Sequence, residues 1–151
     1  SSNGTRAVAD VNLAPHVFLG SFLNAGAVVE AALAAATKGG LDITMVCAGR
    51  EERFAIDDAY CAGFLVSRLL SQIPSDQAFE VGEGGQAALA IYGYYRDPLK
   101  LLRNSGAGQA VLRIGMAEDL AFLLQQDLYP VVPCLAQRDQ PVSGWGFSLL
   151  I

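Results

Sequence analysis

Two apolar runs, HVFLGSFL (residues 16–23) and LDITMVCAG (41–49), flank the alanine-rich stretch AGAVVEAALAAATKGG. Short apolar runs closed by turn residues read as buried strands, and the segment between them has the length and composition of a helix. A strand that returns through a helix needs a crossover connection, the unit of a parallel sheet. Asn24 is placed to cap that helix and Gly39-Gly40 to end it. The alanines predict close packing of the helix on a sheet.

The pattern continues downstream. DDAYCAGFLVSRLLSQI is an amphipathic helix with Cys61, Leu65, Leu69 and Ile73 on one face. GGQAALAIYGYY is helical, and DPLKLLRNS starts a helix at Pro98. SGAGQAVLRIG and AEDLAFLLQQD are two short helices parted by Gly115. YPVVPCLA is a last extended run, and the tail QRDQPVSGWGFSLLI carries turn residues around Trp145. Residues 1–151 are therefore expected to form a single α/β domain, a largely parallel or mixed sheet layered with helices. The chain opens on a turn motif with no strand before it, so the fold is expected to be incomplete at the N-terminus.

Composition narrows the function. Hydrophobic residues make up 52% and charged residues 17%, which excludes disorder. No apolar stretch approaches the roughly 20 residues of a membrane span. No basic-then-apolar leader pattern is seen, so a soluble, cytoplasmic protein is expected. A net charge of -5 repels a phosphate backbone and argues against nucleic acid as partner. The three cysteines are widely spaced without a CxxC, and His16 is the only histidine, which excludes two-histidine metal motifs. Tyr92, Tyr94, Tyr95 and Trp145 read as packing aromatics.

Two stretches carry chemistry. SNGT, Ser2 to Thr5, places small and hydroxylated residues where a helix begins, so Ser2, Asn3, Gly4 and Thr5 can cradle an oxyanion beside Arg6. In CAGREERFAIDD, Arg50 and Arg53 precede the acid pair Asp57-Asp58 at a helix start. Acids there favour the helix dipole, and one of them can serve Mg²⁺, which takes one or two carboxylates plus water and substrate oxygens. Adjacent helical residues point about 100° apart, so one acid serves the site, and Asp58 is the choice. Cys47, five residues and Arg53 also match the spacing of cysteine-dependent phosphatases, whose thiolate is the nucleophile.

In order along the chain, SNGTRA, GSFLNA, CAGR..RFAIDDAYCAG, S.AGQAVLRIGMAEDLAF and D..PVVP resemble the 2-phosphosulfolactate phosphatase family (ComB). The resemblance implies a three-layer α/β/α fold of which this chain is the C-terminal two-thirds. It also implies a Mg²⁺-dependent hydrolase that converts 2-phosphosulfolactate to 3-sulfolactate in coenzyme M biosynthesis. Asn3, Gly4, Thr5 and Arg6 match one family motif. Gly49, Arg50, Asp57, Asp58, Cys61 and Gly63 match a second, and Ser105 and Asp119 a third. Family members often carry glycine where this chain has Glu52. A family segment Asp-Val-Leu-Arg-Ala-Thr, following a strand, has no match here.

The expectation is an enzyme with Arg6, Arg50, Asp57 and Asp58 as catalytic residues. Ser2, Asn3, Gly4, Thr5, Gly49 and Cys61 would bind substrate, with Asp58 on Mg²⁺. Two alternatives stand beside it: a cysteine phosphatase using Cys47, or a non-catalytic anion-binding half-domain. Homo-oligomers or a complementary N-terminal segment are the expected protein partners.

Overall fold

The computed structural model describes residues 2–74, 79–135 and 147–150. Seven helices carry most of these residues: α1 (Ser2–Asp10), α2 (Ala25–Gly39), α3 (Ile56–Gln72), α4 (Glu83–Tyr94), α5 (Pro98–Asn104), α6 (Gly106–Arg113) and α7 (Ala117–Leu123). Every helix expected from the sequence is present. The described strands β1 (Val132–Leu135) and β2 (Phe147–Leu150) pair antiparallel, with Val132 opposite Leu150. The tail around Trp145 lies outside the described residues.

The core forms around α3. Its middle turns are buried on nearly every side, because Ala59, Tyr60, Ala62, Phe64, Leu65 and Val66 are all inaccessible. Phe22, Ala25, Val29 and Leu101 pack against Tyr60, Phe64, Leu65 and Leu69. Aromatic rings extend the cluster: the Phe22 and Phe64 centroids are 4.7 Å apart, and those of Tyr60 and Tyr92 5.2 Å. Tyr92 packs as expected, whereas Tyr94 is 78% exposed and stands edge-on to Tyr95 at the surface. Helix α4 lies so close to α3 that a Cβ on Gly63 would sit 2.1 Å from the Ala88 carbonyl oxygen.

Polar ties position the segments around this core. Asn24 precedes α2, but its amide does not cap the helix. Its oxygen accepts the Ser21 N–H and hydroxyl, each at 2.9 Å, and its nitrogen donates to Leu19 O and Val131 O at 3.0 and 3.1 Å. All four hydrogen-bonding positions of a buried amide are thus used. Asp127 joins α2 to α3 by accepting from Gly26 N–H at 2.5 Å and pairing with Arg68. Gly40, at φ 60, ends α2 in the left-handed cap foreseen for the glycine pair.

The two leading apolar runs behave differently from expectation. Within 16–23, only Phe18 forms a bridge, antiparallel to Cys134, with Leu19 N–H on Pro133 O and Leu135 N–H on Val17 O. The end of that run, Phe22–Asn24, is a single 3₁₀ turn. Residues 41–49 form no helix and pair with no described strand. Apolar character made these segments strand-like, yet a strand exists only where a neighbour completes its ladder. Ala32, Ala35 and Ala36 of α2 accordingly line a groove rather than a sheet.

Gly63→Ala is expected to lower stability by about 1–3 kcal/mol through this clash with α4, measured by chemical denaturation. Unchanged stability would show that the α3–α4 contact is looser than described.

Candidate active site

The loop from Cys47 to Phe54 is shaped by three residues in the left-handed region: Gly49 (φ 67), Glu51 (φ 52) and Glu52 (φ 61). Arg50 N–H donates to Arg53 O at 3.0 Å, and Arg53 N–H donates back to Arg50 O at 2.9 Å. The result is a two-residue turn with both central residues at positive φ, the type I′ geometry. Glycine or asparagine normally fills those positions, and each Glu there costs about 1–2 kcal/mol. Glu52 therefore adopts the conformation that a glycine would take with ease. Gly49 has no such latitude, because a Cβ there would lie 2.7 Å from Arg53 O.

Three contacts hold the strained turn, one on each of three helices. Gly49 N–H donates to Asp58 Oδ2 on α3 at 2.7 Å. Glu52 Oε1 meets Arg6 Nη1 on α1 at 2.7 Å. The Arg50 guanidinium lies against the start of α6, where a Cβ on Gly106 would be 3.1 Å from its Nη1. The Arg6–Glu52 pair is exposed, so its worth lies in orientation more than in stability.

At α6 the buried Ser105 is the N-cap. Its hydroxyl accepts the Gly108 N–H at 3.0 Å and donates to Leu102 O at 3.0 Å. Gly108 packs so tightly that a Cβ would fall 1.7 Å from Leu102 O. Arg50 and the α6 N-terminus place two sources of positive potential side by side. Asp119, in the first turn of α7, is not among the residues lining the adjacent groove.

That groove has a volume of about 560 Å³, and Gly4, Cys47, Ala48, Asp58 and Cys61 are among its lining residues. Arg6, Arg50 and Asp57 are not among them. Instead Arg6 reaches from α1 to the tip of the turn, and Arg50 reaches from the turn to α6. Asn3, Gly4 and Thr5 lie in the first turns of α1, a helix start as expected, while the side chain of Ser2 lies outside the described residues. Of the acid pair, Asp58 turns to the loop, and Asp57 has no hydrogen bond or ion pair among the described residues.

Burial raises the Asp58 carboxyl above its ordinary value, and the neighbouring Asp57 charge adds to this, while the Gly49 N–H opposes it. The Cys47 thiol is raised by burial and by Asp58. The Cys61 thiol is pushed up to about 12, chiefly by burial. A nucleophilic cysteine needs the opposite shift. The Cys47–Arg53 loop also spends the N–H groups of Arg50 and Arg53 within its own turn, so they do not converge on an anion. Geometry and electrostatics both weigh against the cysteine alternative.

Among the described residues no group of three His, Cys, Asp or Glu side chains gathers to hold a metal. Asp58 fits Mg²⁺ in the manner of a one-carboxylate site. One oxygen accepts from Gly49 N–H, the other has no hydrogen bond among the described residues, and Mg²⁺ takes a single carboxylate oxygen of this kind together with waters.

Residues 1–138 match the family described as 2-phosphosulpholactate phosphatase. The chain belongs to this family. A protein of Deinococcus radiodurans named "Probable 2-phosphosulfolactate phosphatase" is 34% identical over 145 residues, covering 95% of this chain and 58% of the relative. A protein of Thermus thermophilus with the same name is 36% identical over 141 residues, covering 91% of this chain and 56% of the relative. The chain thus spans a little over half the length of these curated relatives. The segments that carried the resemblance meet at this loop: SNGTRA through Arg6, CAGR and the acid pair through Gly49 and Asp58, and the segment of Ser105 through Arg50.

Ser105, which the resemblance singles out without a role, is the N-cap of α6, and a serine before small residues and an apolar helix is a cap signal. The Glu51-Glu52 turn had no such signal, because glutamate is not a turn residue.

Asp58 yields a pH-dependent forecast. A carboxyl whose folded pKa lies above its unfolded value destabilises the fold once ionised. That penalty is absent below the ordinary value of 3.8 and complete above the raised folded value. Asp58→Asn keeps an oxygen for Gly49 and is expected to raise the melting temperature at pH 7. The advantage should shrink as the pH falls toward 4; thermal melts across pH measure it, and a lower Tm at neutral pH would contradict it.

Proposed function

We propose that this chain carries the phosphate-handling part of a phosphatase acting on a small anionic phosphate monoester. The substrate we favour is 2-phosphosulfolactate, hydrolysed to 3-sulfolactate and phosphate as a step of coenzyme M biosynthesis. The observation that carries the proposal is the one turn that touches Arg6, Asp58 and the α6 N-terminus together.

In this reading the α1 N-terminus, with Ser2, Asn3, Gly4 and Thr5, and Arg6 hold phosphoryl oxygens by N–H dipoles and a forked guanidinium. Arg50, beside the α6 start, balances the substrate's second acid. Gly49 keeps the Asp58 carboxylate oriented, Cys61 lines the pocket beneath it, and Asp57 supports the same helix end as an outer carboxylate. Mg²⁺, held by Asp58, would supply charge neutralisation and a water of lowered pKa.

We place the protein in a reducing cytoplasm, supported by three free cysteines; among the described residues no helix is long and apolar enough to cross a membrane. The fold we propose is the three-layer α/β/α domain of the family, to which residues 1–151 contribute the C-terminal two-thirds. Because the chain spans 58% of one relative, an anion-binding half-domain that turns over only when complemented is the second reading.

The deciding experiment is a phosphate-release screen of phosphorylated hydroxy acids, with Mg²⁺ and with EDTA. It is run on this chain alone and fused to the unmatched part of the Deinococcus radiodurans relative. Turnover that requires Mg²⁺ is expected; release from no substrate in either form would overturn the proposal. Arg6→Ala and Asp58→Ala should each lower turnover by about a hundredfold or more, the usual loss of one charge-stabilising contact. Cys47→Ser should leave it within about threefold, since the thiol is not the nucleophile; abolition would restore the cysteine mechanism.

A further inference from the structure

Each of the two arginines assigned to the site already has a carboxylate beside it, and both carboxylates come from one two-residue turn. Glu52 Oε1 lies 2.7 Å from Arg6 Nη1, and Glu51 Oε1 lies 3.7 Å from Arg50 Nε. Both glutamates are mostly in water, with side chains 77% and 73% exposed at Glu51 and Glu52. The loop's other arginine, Arg53, has no ion pair among the described residues. The adjacent glutamates are thus shared out one to each cation.

The backbone gives no reason for glutamate at these positions. At φ 52 and 61 both residues lie in the left-handed region, which glycine and asparagine take more readily. Strain of this kind persists where surrounding contacts over-determine it, and it gathers at ligand clamps. What the glutamates bring to the turn is charge. A guanidinium grips a carboxylate and a phosphoryl group with the same fork of N–H donors, so a carboxylate resting on it stands where an incoming oxyanion would bind. An exposed pair shifts an equilibrium by about fivefold at most, so it is readily displaced.

We propose that the Glu51-Glu52 turn is an internal competitor for the anion site. Glu52 takes the place of the phosphoryl group on Arg6, and Glu51 takes that of the ligand's second acid on Arg50. Ligand entry exchanges two internal ion pairs for two external ones and frees the turn to leave its strained backbone. The competitor acts on the empty site and is gone from the filled one, so it raises KM and leaves kcat unchanged. The inference rests on the reading in which Arg6 holds phosphoryl oxygens and Arg50 the second acid.

The test is calorimetric binding to the whole 151-residue chain of two phosphonates, which cannot be hydrolysed as phosphate esters. Methylphosphonate carries one acid group, and phosphonoacetate adds a carboxylate. Glu52→Gln keeps the side chain's length without its charge and should tighten both ligands by about twofold to fivefold. Glu52→Gly, which suits the positive φ, should give the same gain and guards against a turn that fails to form. Glu51→Gln should tighten phosphonoacetate by a similar factor and leave methylphosphonate unchanged. Glu30→Gln, at an exposed position on α2, removes the same unit of charge and should alter neither ligand. Arg6→Ala in the Glu52→Gln background should erase the gain. If alanine at Arg6 or Arg50 weakens phosphonoacetate but the glutamate variants bind it as the parent does, the competitor is overturned and the anion site stands. It is also overturned if Glu51→Gln tightens both ligands alike. If neither phosphonate binds the parent or any variant, or if alanine at both arginines changes nothing, the site reading falls and the competitor with it.

Discussion

The short hydrogen bond from Gly49 N–H to Asp58 is the contact on which the site depends. It fastens the end of the 41–49 segment to the first turn of the most deeply buried helix. Together with the Arg50–Arg53 backbone pair and the Arg6–Glu52 ion pair, it holds Glu51 and Glu52 in a backbone region that β-carbons disfavour. Because α3 is locked by Phe22, Phe64 and the close contact of Gly63 with α4, the carboxylate is presented from a rigid base. The turn can then reach α1 through Glu52 and α6 through Arg50 at once.

Electrostatics follow from that placement. Asp58 is half-buried beside two thiols and a second carboxylate, so its own charge is disfavoured and it raises both cysteines. Burial beside these carboxylates disfavours the thiolate form of both cysteines. Around the loop the charges are mixed: Arg6 pairs with Glu52, and Arg50 lies 3.7 Å from Glu51 beside the start of α6.

The same geometry explains why the groove and the site belong together. Cys47 and Asp58 line one end of the groove whose other lining is almost wholly aliphatic. Residues 41–48 line the groove beside that end, and among the described residues they pair with no strand. The Phe18–Cys134 bridge ties residues 16–20, which line the same groove, to β1.

Helices were legible in the sequence because each is a local object. Pro98, Gly40, Gly115 and the spacing of Cys61, Leu65 and Leu69 mark starts, stops and faces within a few residues. The residues able to handle an anion were legible for the same reason: few cations exist in an acidic chain, and they cluster with small residues and acids. Tertiary structure alone decided which apolar runs became strands, since pairing depends on a distant partner and 41–48 found none among the described residues. It alone decided that Asp58 rather than Asp57 turns to the loop, and that Glu51-Glu52 bends as glycines would. Those outcomes depend on contacts made by α1, α3 and α6 across the fold, and no local propensity encodes them.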